Sequence, residues 1–393
     1  MSVTPAEQTV LDRIDQDLLM RVTAELLHAP GQNPPGDEAA TVAVLAAAGR
    51  ELGLDVVTTP VEPGRDNVRI TVAGGNGPGL LLLGHTDVVP IGDGWTTDPF
   101  GGVVRDGRIY GRGASDMKGG LAAGLVALAA LRGAGLSGPV ELAAVVDEEE
   151  TGKGIRAYVA DSQRQPFLGC ITAEPTDLQT IIAARGDSYL RVAVHGRACH
   201  AGNPADGANA IYGAGAVVAE IERLHASLAA DPHSLLGPAT WSVGQINGGT
   251  GGSIVPAECV IVADRRLLPG ESPAAVLDDL RQRVAALGLA DRELTVDLDM
   301  PMEMPAFETP ADADLVRIAE AARVDAGGPD LPLGGWTAAC DGGYIARDLG
   351  VPVVVLGPGS VTTQAHRADE SVAIPELLTA ARAYTLAALR LLS

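Results

Sequence analysis

The chain has 393 residues, with 50 acidic against 28 basic side chains and a formal net charge of −22. Such a charge repels nucleic acid and anionic membranes, and it reads as a solvated acidic surface rather than as a clue to substrate. The length exceeds what one hydrophobic core usually fills, so two domains are expected; the ordinary apolar and charged content excludes a disordered chain.

In chain order, residues 1–19 are acidic and amphipathic, which fits a helix and not a signal peptide. The helical pattern covers about 5–28 and is broken by PGQNPPGDE. A second helix is expected over Glu38–Leu52, ended by Gly53. DVVTTPVE and NVRITVAG are short β-rich runs. GLLLLGH is continuously apolar, as expected of a strand covered on both faces. GGLAAGLVALAALRGAG reads as a helix rich in Ala and Gly. PVELAAVVDEEE and GCITAEP read as two more buried strands. Strands alternating with helices predict a doubly wound α/β sheet, whose ligands gather at the carboxyl ends of its strands.

From Ser188 the pattern changes. YLRVAVHGRA is a strand, Asp206–Ala229 a helix, TWSVGQING and AECVIVADRRLL two strands, Ser272–Leu287 a helix and RELTVDLDM a last strand. This β-α-β-β-α-β order is that of a ferredoxin-like unit. The expected organisation is therefore a catalytic domain over 1–184 and 301–393, interrupted by a ferredoxin-like domain over 185–300. After Pro301 a helix near 311–326 and the strand VPVVVLG complete the first domain. There is no internal repeat. No apolar run approaches the roughly 20 residues that span a membrane. Cys170, Cys199, Cys259 and Cys340 are isolated, which argues against disulfides and zinc–thiolate sites and fits a reducing cytoplasm.

The groups that could carry chemistry are His85 and Asp87 in GHTDVVP, Asp116 in ASDMKGG, Glu148–Glu150 in DEEETGKG, Glu174 in AEPT and His366 in AHRADE. Alone, an HxD pair or an acidic run is commonly structural. Position sets these apart: each ends an apolar strand or borders a glycine-rich turn. Parallel strands would bring them to one edge, where a cluster of buried carboxylates needs a compensating cation. Carboxylates mixed with imidazoles suit zinc, cobalt or manganese.

In order along nearly the whole chain, GHTDVVP, YGRGASDMKGG, VVDEEETGKG, AEPT, GRACHAGNPADGANAI, GGSIVPAEC, DRRLLPGE, GPGS and AHRADE resemble the zinc amidohydrolase and exopeptidase family of acetylornithine deacetylase, succinyl-diaminopimelate desuccinylase, aminoacylase and glutamate carboxypeptidase. The resemblance implies the two-domain fold read above, with the inserted domain acting as a lid. It also implies two divalent metal ions: Asp116 bridging them, His85 and Glu174 completing one ligand set, Glu149 and His366 the other. Asp87 would orient the His85 ring. Glu148 would be the general base, although reading the motif against Gly152 would shift base and ligand to Glu149 and Glu150. A cis peptide at Asp116–Met117 is implied as well.

Further roles follow from the same resemblance. His200 would reach across a homodimer, formed through the lid, to stabilise the oxyanion. Arg266 would clamp the substrate carboxylate, with Arg265 facing the other side of its strand. Apart from the resemblance, the Gly357–Ser360 loop follows a buried strand, so its backbone N–H groups, Gly357 and Gly359 among them, would share that task, an ordinary turn being the alternative. Asp341 matches an acidic position near the site. Ser253 stands where the family often has Asn, so acyl or side-chain preference can differ. His28, His195, His225 and His233 match nothing and are read as structural. The expected activity is hydrolysis of the amide of an N-acylated amino acid. A metallo-dipeptidase or carboxypeptidase is the alternative, and an inactive binding protein of the same fold the other.

Overall fold

A computed structural model describes residues 2–393 and separates the chain into two compact units. The first comprises residues up to Ile182, Glu308–Gly335 and Cys340–Ser393; the second is Ala183–Phe307 with Trp336–Ala339.

The first unit is built on β1 (Asp55–Glu62), β2 (Arg65–Val72), β3 (Gly79–His85), β4 (Val140–Val145) and β5 (Phe167–Thr172). The second contributes β6 (Gly186–His195), β7 (Thr240–Gly248), β8 (Glu258–Leu267) and β9 (Thr295–Met304), and β10 (Val353–Val355) returns to the first. In the first unit the strand order is β1-β2-β4-β3-β5-β10. Strands β4, β3, β5 and β10 run parallel, and the β1–β2 hairpin adds an antiparallel edge. Every residue of β3 and β4 is buried, which accounts for their largely apolar sequences; the exception within β4, Glu141, accepts the Tyr158 hydroxyl. The helix Gly119–Leu131 is buried on nearly its whole surface. It approaches the sheet so closely at Gly120 that a Cβ there would lie 2.2 Å from the Ala173 carbonyl oxygen. The 18-residue stretch Ala114–Leu131 is long and apolar enough to cross a membrane by length and composition, but it includes Asp116 and Lys118 and 94% of it is buried inside the protein.

Register explains why the site forms at one edge. His85 pairs with Val145 and Leu83 with Thr172. Glu174, two residues past Thr172, therefore comes level with His85, and the acidic run starts two residues past Val145. The fold class expected from sequence holds. The first helical pattern does not stay whole: it divides into Pro5–Leu11 and Gln16–His28, because the Asp15 side chain caps the second helix by accepting from Asp17 and Leu18 N–H. A hairpin over Val103–Arg105 and Arg108–Tyr110, joined by Ser371–Ala373, and the closing helix Ile374–Leu391 were not foreseen.

In the second unit the sheet order is β7-β8-β6-β9, antiparallel throughout. With helices Ala210–Leu228 and Pro273–Ala285 this gives the β-α-β-β-α-β arrangement. Leu190, Val192, Val217, Ile221, Trp241, Ile261 and Leu280 belong to its core. The first helix starts at Ala210 rather than at 206, because the Asn209 side chain accepts from Ile211 and Tyr212 N–H. Strand β9 runs past Pro301 to Met304, its register shifting between Asp299 and Met302.

Candidate metal centre

The carboxyl ends of β3 and β5, the turn after β4, the loop before helix Gly119–Leu131 and the loop before Ser371 deliver two groups of ligand atoms. His85, Asp116 and Glu174 form one; Asp116, Glu149 and His366 form the other, with the atoms of each group within 4.8 Å of one another. Asp116 belongs to both. Its Oδ1 lies 3.1 Å from His85 Nε2 and its Oδ2 3.4 Å from His366 Nε2. His85 Nε2 is 3.7 Å from Glu174 Oε1, and His366 Nε2 is 3.2 Å from Glu149 Oε2. The Asp116–Met117 peptide is cis.

Glu148 points into the first group, its Oε2 4.0 Å from His85 Nε2, while Glu150 is exposed. Asp87 is fully buried and does more than was expected of it. The His85 ring is held by the Asp87 main-chain oxygen at 2.9 Å, and the carboxylate lies farther off at 3.5 Å. That carboxylate also accepts Glu148 N–H (3.2 Å), Glu149 N–H (3.1 Å) and the Asn33 side-chain amide (2.9 Å). Asp87 thus sets the backbone of the acidic turn.

Asn33 also donates to Asp147 (3.1 Å), and Asp147 accepts from Arg65 (2.8 Å), which pairs with buried Glu38. This supporting network was not legible in the sequence, because its members come from four separate segments. Asp147 adopts φ +70° and accepts the N–H of Lys153, closing the turn that carries Glu148 and Glu149.

The electrostatics fit a cation site. Burial pushes the carboxyls of Glu148, Glu149 and Glu174 up, and their carboxylate neighbours add to the shift. Burial opposes ionisation of Asp116 as well, yet hydrogen bonds from His366 and His85 hold its carboxyl well below the usual range. Hydrogen bonds to Asp116 and Glu149 raise His366 to about 10. Burial raises Asp341 to about 8; the residue is fully buried, and neither carboxylate oxygen has a hydrogen-bond partner. Glu149 Oε1 is likewise buried without a partner. Two imidazoles, three carboxylates and an unmet acceptor suit one pair of divalent ions.

These shifts carry a sign. Groups raised in the folded state bind protons more tightly there than when unfolded. Their stabilisation is complete below the unfolded pKa and is lost as pH rises through the folded one. For His366 that window runs from 6.5 to about 10, and for Asp341 from 3.8 to about 8. The Tm of chelator-treated protein is therefore expected to fall between pH 6.5 and about pH 9. Asp116 and Asp87, whose pKa values are lowered, act only at the acid end. Divalent metal should flatten or reverse the slope, since its ligands must be deprotonated. A Tm that rises with pH in the stripped protein would contradict this account.

Gly357 and Gly359 do not offer the donors expected of them. Gly357 N–H donates to Thr176 Oγ1 (3.2 Å), Gly359 N–H to Glu376 (2.8 Å) and Ser360 N–H to Ser115 Oγ (2.9 Å), and Pro358 has no N–H. The loop is a structural turn under the Asp116 segment: at Gly359 (φ +89°) a Cβ would meet Ser115 Oγ at 2.2 Å.

His200 and Arg266 belong to the second unit. His200 is exposed on a short strand paired with Ile254–Val255, and its Nδ1 accepts the Gly202 N–H (3.0 Å). Ser253 lies next to that strand and accepts the Ala201 N–H through its carbonyl (2.9 Å). Arg266 is met by Asp264 (2.9 Å) and Asp187 (3.3 Å), while Arg265 faces the other side, bonded to Glu271 (2.6 Å) over Trp241. His28, His195, His225 and His233 each make a local contact away from these groups: Gly101 O, Asp297, Trp241 N–H, and the N–H groups of Leu235 and Leu236. All four cysteines are free.

Comparison with known proteins agrees with this geometry. The chain is 35% identical to acetylornithine deacetylase of Salmonella arizonae over 345 residues, 84% of this chain and 85% of that protein. Its fold matches an M20 family metallo-carboxypeptidase, Sso-CP2 of Sulfolobus solfataricus (TM-score 0.79, 19% identity, covering 95% and 99% of the two chains). It also matches the YXEP protein of Bacillus subtilis, described as a dinuclear metal binding peptidase from the M20 family (TM-score 0.73, 16% identity, covering 96% and 99%). The model of Peptidase family M20/M25/M40 matches residues 81–390, from the second leucine of β3 to the closing helix. The strand-end histidine, the acidic turn and the His366 loop all fall within that match, and the chain belongs to this family of metal-dependent hydrolases.

Proposed function

We propose that this protein hydrolyses the amide bond of an N-acylated amino acid, in the manner of acetylornithine deacetylase or succinyl-diaminopimelate desuccinylase. The observation that carries the reading is the pair of ligand groups sharing Asp116, with the Glu148 side chain, 10% exposed, beside one of them. The 35% identity to an acetylornithine deacetylase supports the choice of substrate class.

His85, Asp116 and Glu174 would hold one ion, and Asp116, Glu149 and His366 the other; zinc suits the donor set best, with cobalt or manganese as substitutes. Ions held there would supply acidification of the attacking water and polarisation of the scissile carbonyl. Glu148 takes the proton of the attacking water on its carboxylate and returns it to the leaving nitrogen. Asp87 holds the Glu148 and Glu149 N–H groups, so base and ligand stay in register. Arg266 receives the substrate carboxylate by exchanging one of its own aspartates for it.

The proposal includes a homodimer through the second unit, with the partner's His200 steadying the oxyanion. Strand β7 is a sheet edge, and Ile211, Tyr212, Ile246 and Ile254 are exposed in that unit, an apolar surface of the kind that pairs with another copy. Free thiols fit the cytoplasm as its compartment.

The test is release of free amine from N-acetyl and N-succinyl amino acids and from unblocked dipeptides, each with zinc or cobalt and with chelator. Chelator-sensitive cleavage of the acyl amino acids is expected. Cleavage of dipeptides alone would overturn the deacylase reading in favour of a dipeptidase or carboxypeptidase.

A further inference from the structure

Two acidic residues follow His366 on the same loop, and both hold other loops in place. Asp369 accepts the N–H and hydroxyl of Thr96 (2.9 and 2.7 Å) and of Thr97 (both 3.1 Å). Glu370 is buried, and its two oxygens receive four donors. Oε1 accepts Ser115 N–H (2.9 Å) and Asp116 N–H (3.0 Å); Oε2 accepts Gly113 N–H (3.1 Å) and the Arg112 guanidinium (2.6 Å).

Three backbone N–H groups of the segment that carries the shared ligand thus converge on one carboxylate, an arrangement that fixes a turn around an anion. The anion comes from the loop that carries His366. His366 itself is half exposed and sits at φ +61°, so packing does little to hold it. The Arg112 charge that balances Glu370 is held over the Trp95 ring (5.2 Å) and donates to the Ile91 and Arg367 carbonyls (both 3.2 Å).

We propose that Glu370 is the positioning residue for the metal centre: by gripping the backbone of Asp116 it fixes the shared carboxylate against His366, and metal affinity depends on it although it belongs to neither ligand group. This rests on the two-metal reading above. Glutamine at this position offers one acceptor oxygen, and its NH2 faces N–H groups. Two of the four donors lose their partner, and the Asp116 turn must shift to find others.

The test is titration of the full-length protein with zinc against a competing chromophoric chelator. It compares wild type, Glu370→Gln and the double variant Glu370→Gln/Arg112→Met. The double variant removes the guanidinium that the single one leaves buried and unpaired, while keeping an apolar stem under Trp95. Both variants are expected to bind zinc about 10- to 100-fold more weakly, the range for changes behind a metal ligand. Part of the lost turnover should return at high metal. Wild-type affinity in folded Glu370→Gln would overturn the proposal. So would wild-type affinity restored in the double variant, because the effect would then belong to the stranded Arg112 charge. A wild-type protein that binds no divalent ion would overturn the two-metal reading and this inference with it; a wild type that binds two ions no more tightly than Glu370→Gln removes this inference alone.

Discussion

Glu148→Gln is expected to keep both metal ions and to lower kcat by about 10²- to 10⁴-fold, the usual worth of a positioned acid–base group. The substitution is nearly isosteric and alters no ligand atom in either group. The Asp87 contact is to the Glu148 N–H, which glutamine retains. What is lost is the capacity to take and return a proton. Burial, joined by the charges of Glu174, Asp341 and Glu149, pushes the Glu148 carboxyl up when no cation is present. Cations would pull it back toward the working range of a base. The neighbours provide the contrast. Glu149→Gln should lose metal from the group containing His366, and turnover with it. Glu150→Gln should behave as wild type, since Glu150 is exposed. Metal content and kcat, measured on all three variants, decide the register. Retained turnover in Glu148→Gln, with turnover lost and metal kept in Glu149→Gln, would move the base by one position.

The sequence exposed the ligands more fully than it exposed what holds them. His85, Glu174 and the acidic turn were legible because each follows a largely apolar run, and such a run is a strand whose end must reach the sheet edge. The βαββαβ order was legible for the same reason: alternation and turn chemistry are local signals. The supports are not local. Asn33 and Arg65 reach Asp147, and Glu38 reaches Arg65, only where β1–β2 and the segment PGQNPPGDE pack together. Glu370 reaches the Asp116 turn across more than 250 residues of chain. The glycine loop misled for a related reason. Its N–H groups look free in sequence, and only the fold brings Thr176, Glu376 and Ser115 to take them. The carboxylate of Asp87 was expected on the imidazole two residues away and lies 3.5 Å from it, but its hold on the turn after β4 shows only in the fold.

His200→Ala is expected to lower kcat by about 10²- to 10³-fold with little change in KM, as removal of one oxyanion donor does. Because His200 Nδ1 accepts the Gly202 N–H, the neutral ring carries its proton on Nε2. The imidazole is therefore a donor without needing to be charged. It is exposed on the second unit, and in the proposed dimer it serves the partner's site. The consequence can be counted. Equal mixing of Glu148→Gln and His200→Ala subunits makes half of the dimers mixed. In each mixed dimer one site has an intact Glu148 and faces the other subunit's intact His200. Two inactive preparations should then recover about a quarter of wild-type turnover. If His200 instead served its own subunit, both sites of every mixed dimer would carry a lesion, and proven subunit exchange would restore nothing.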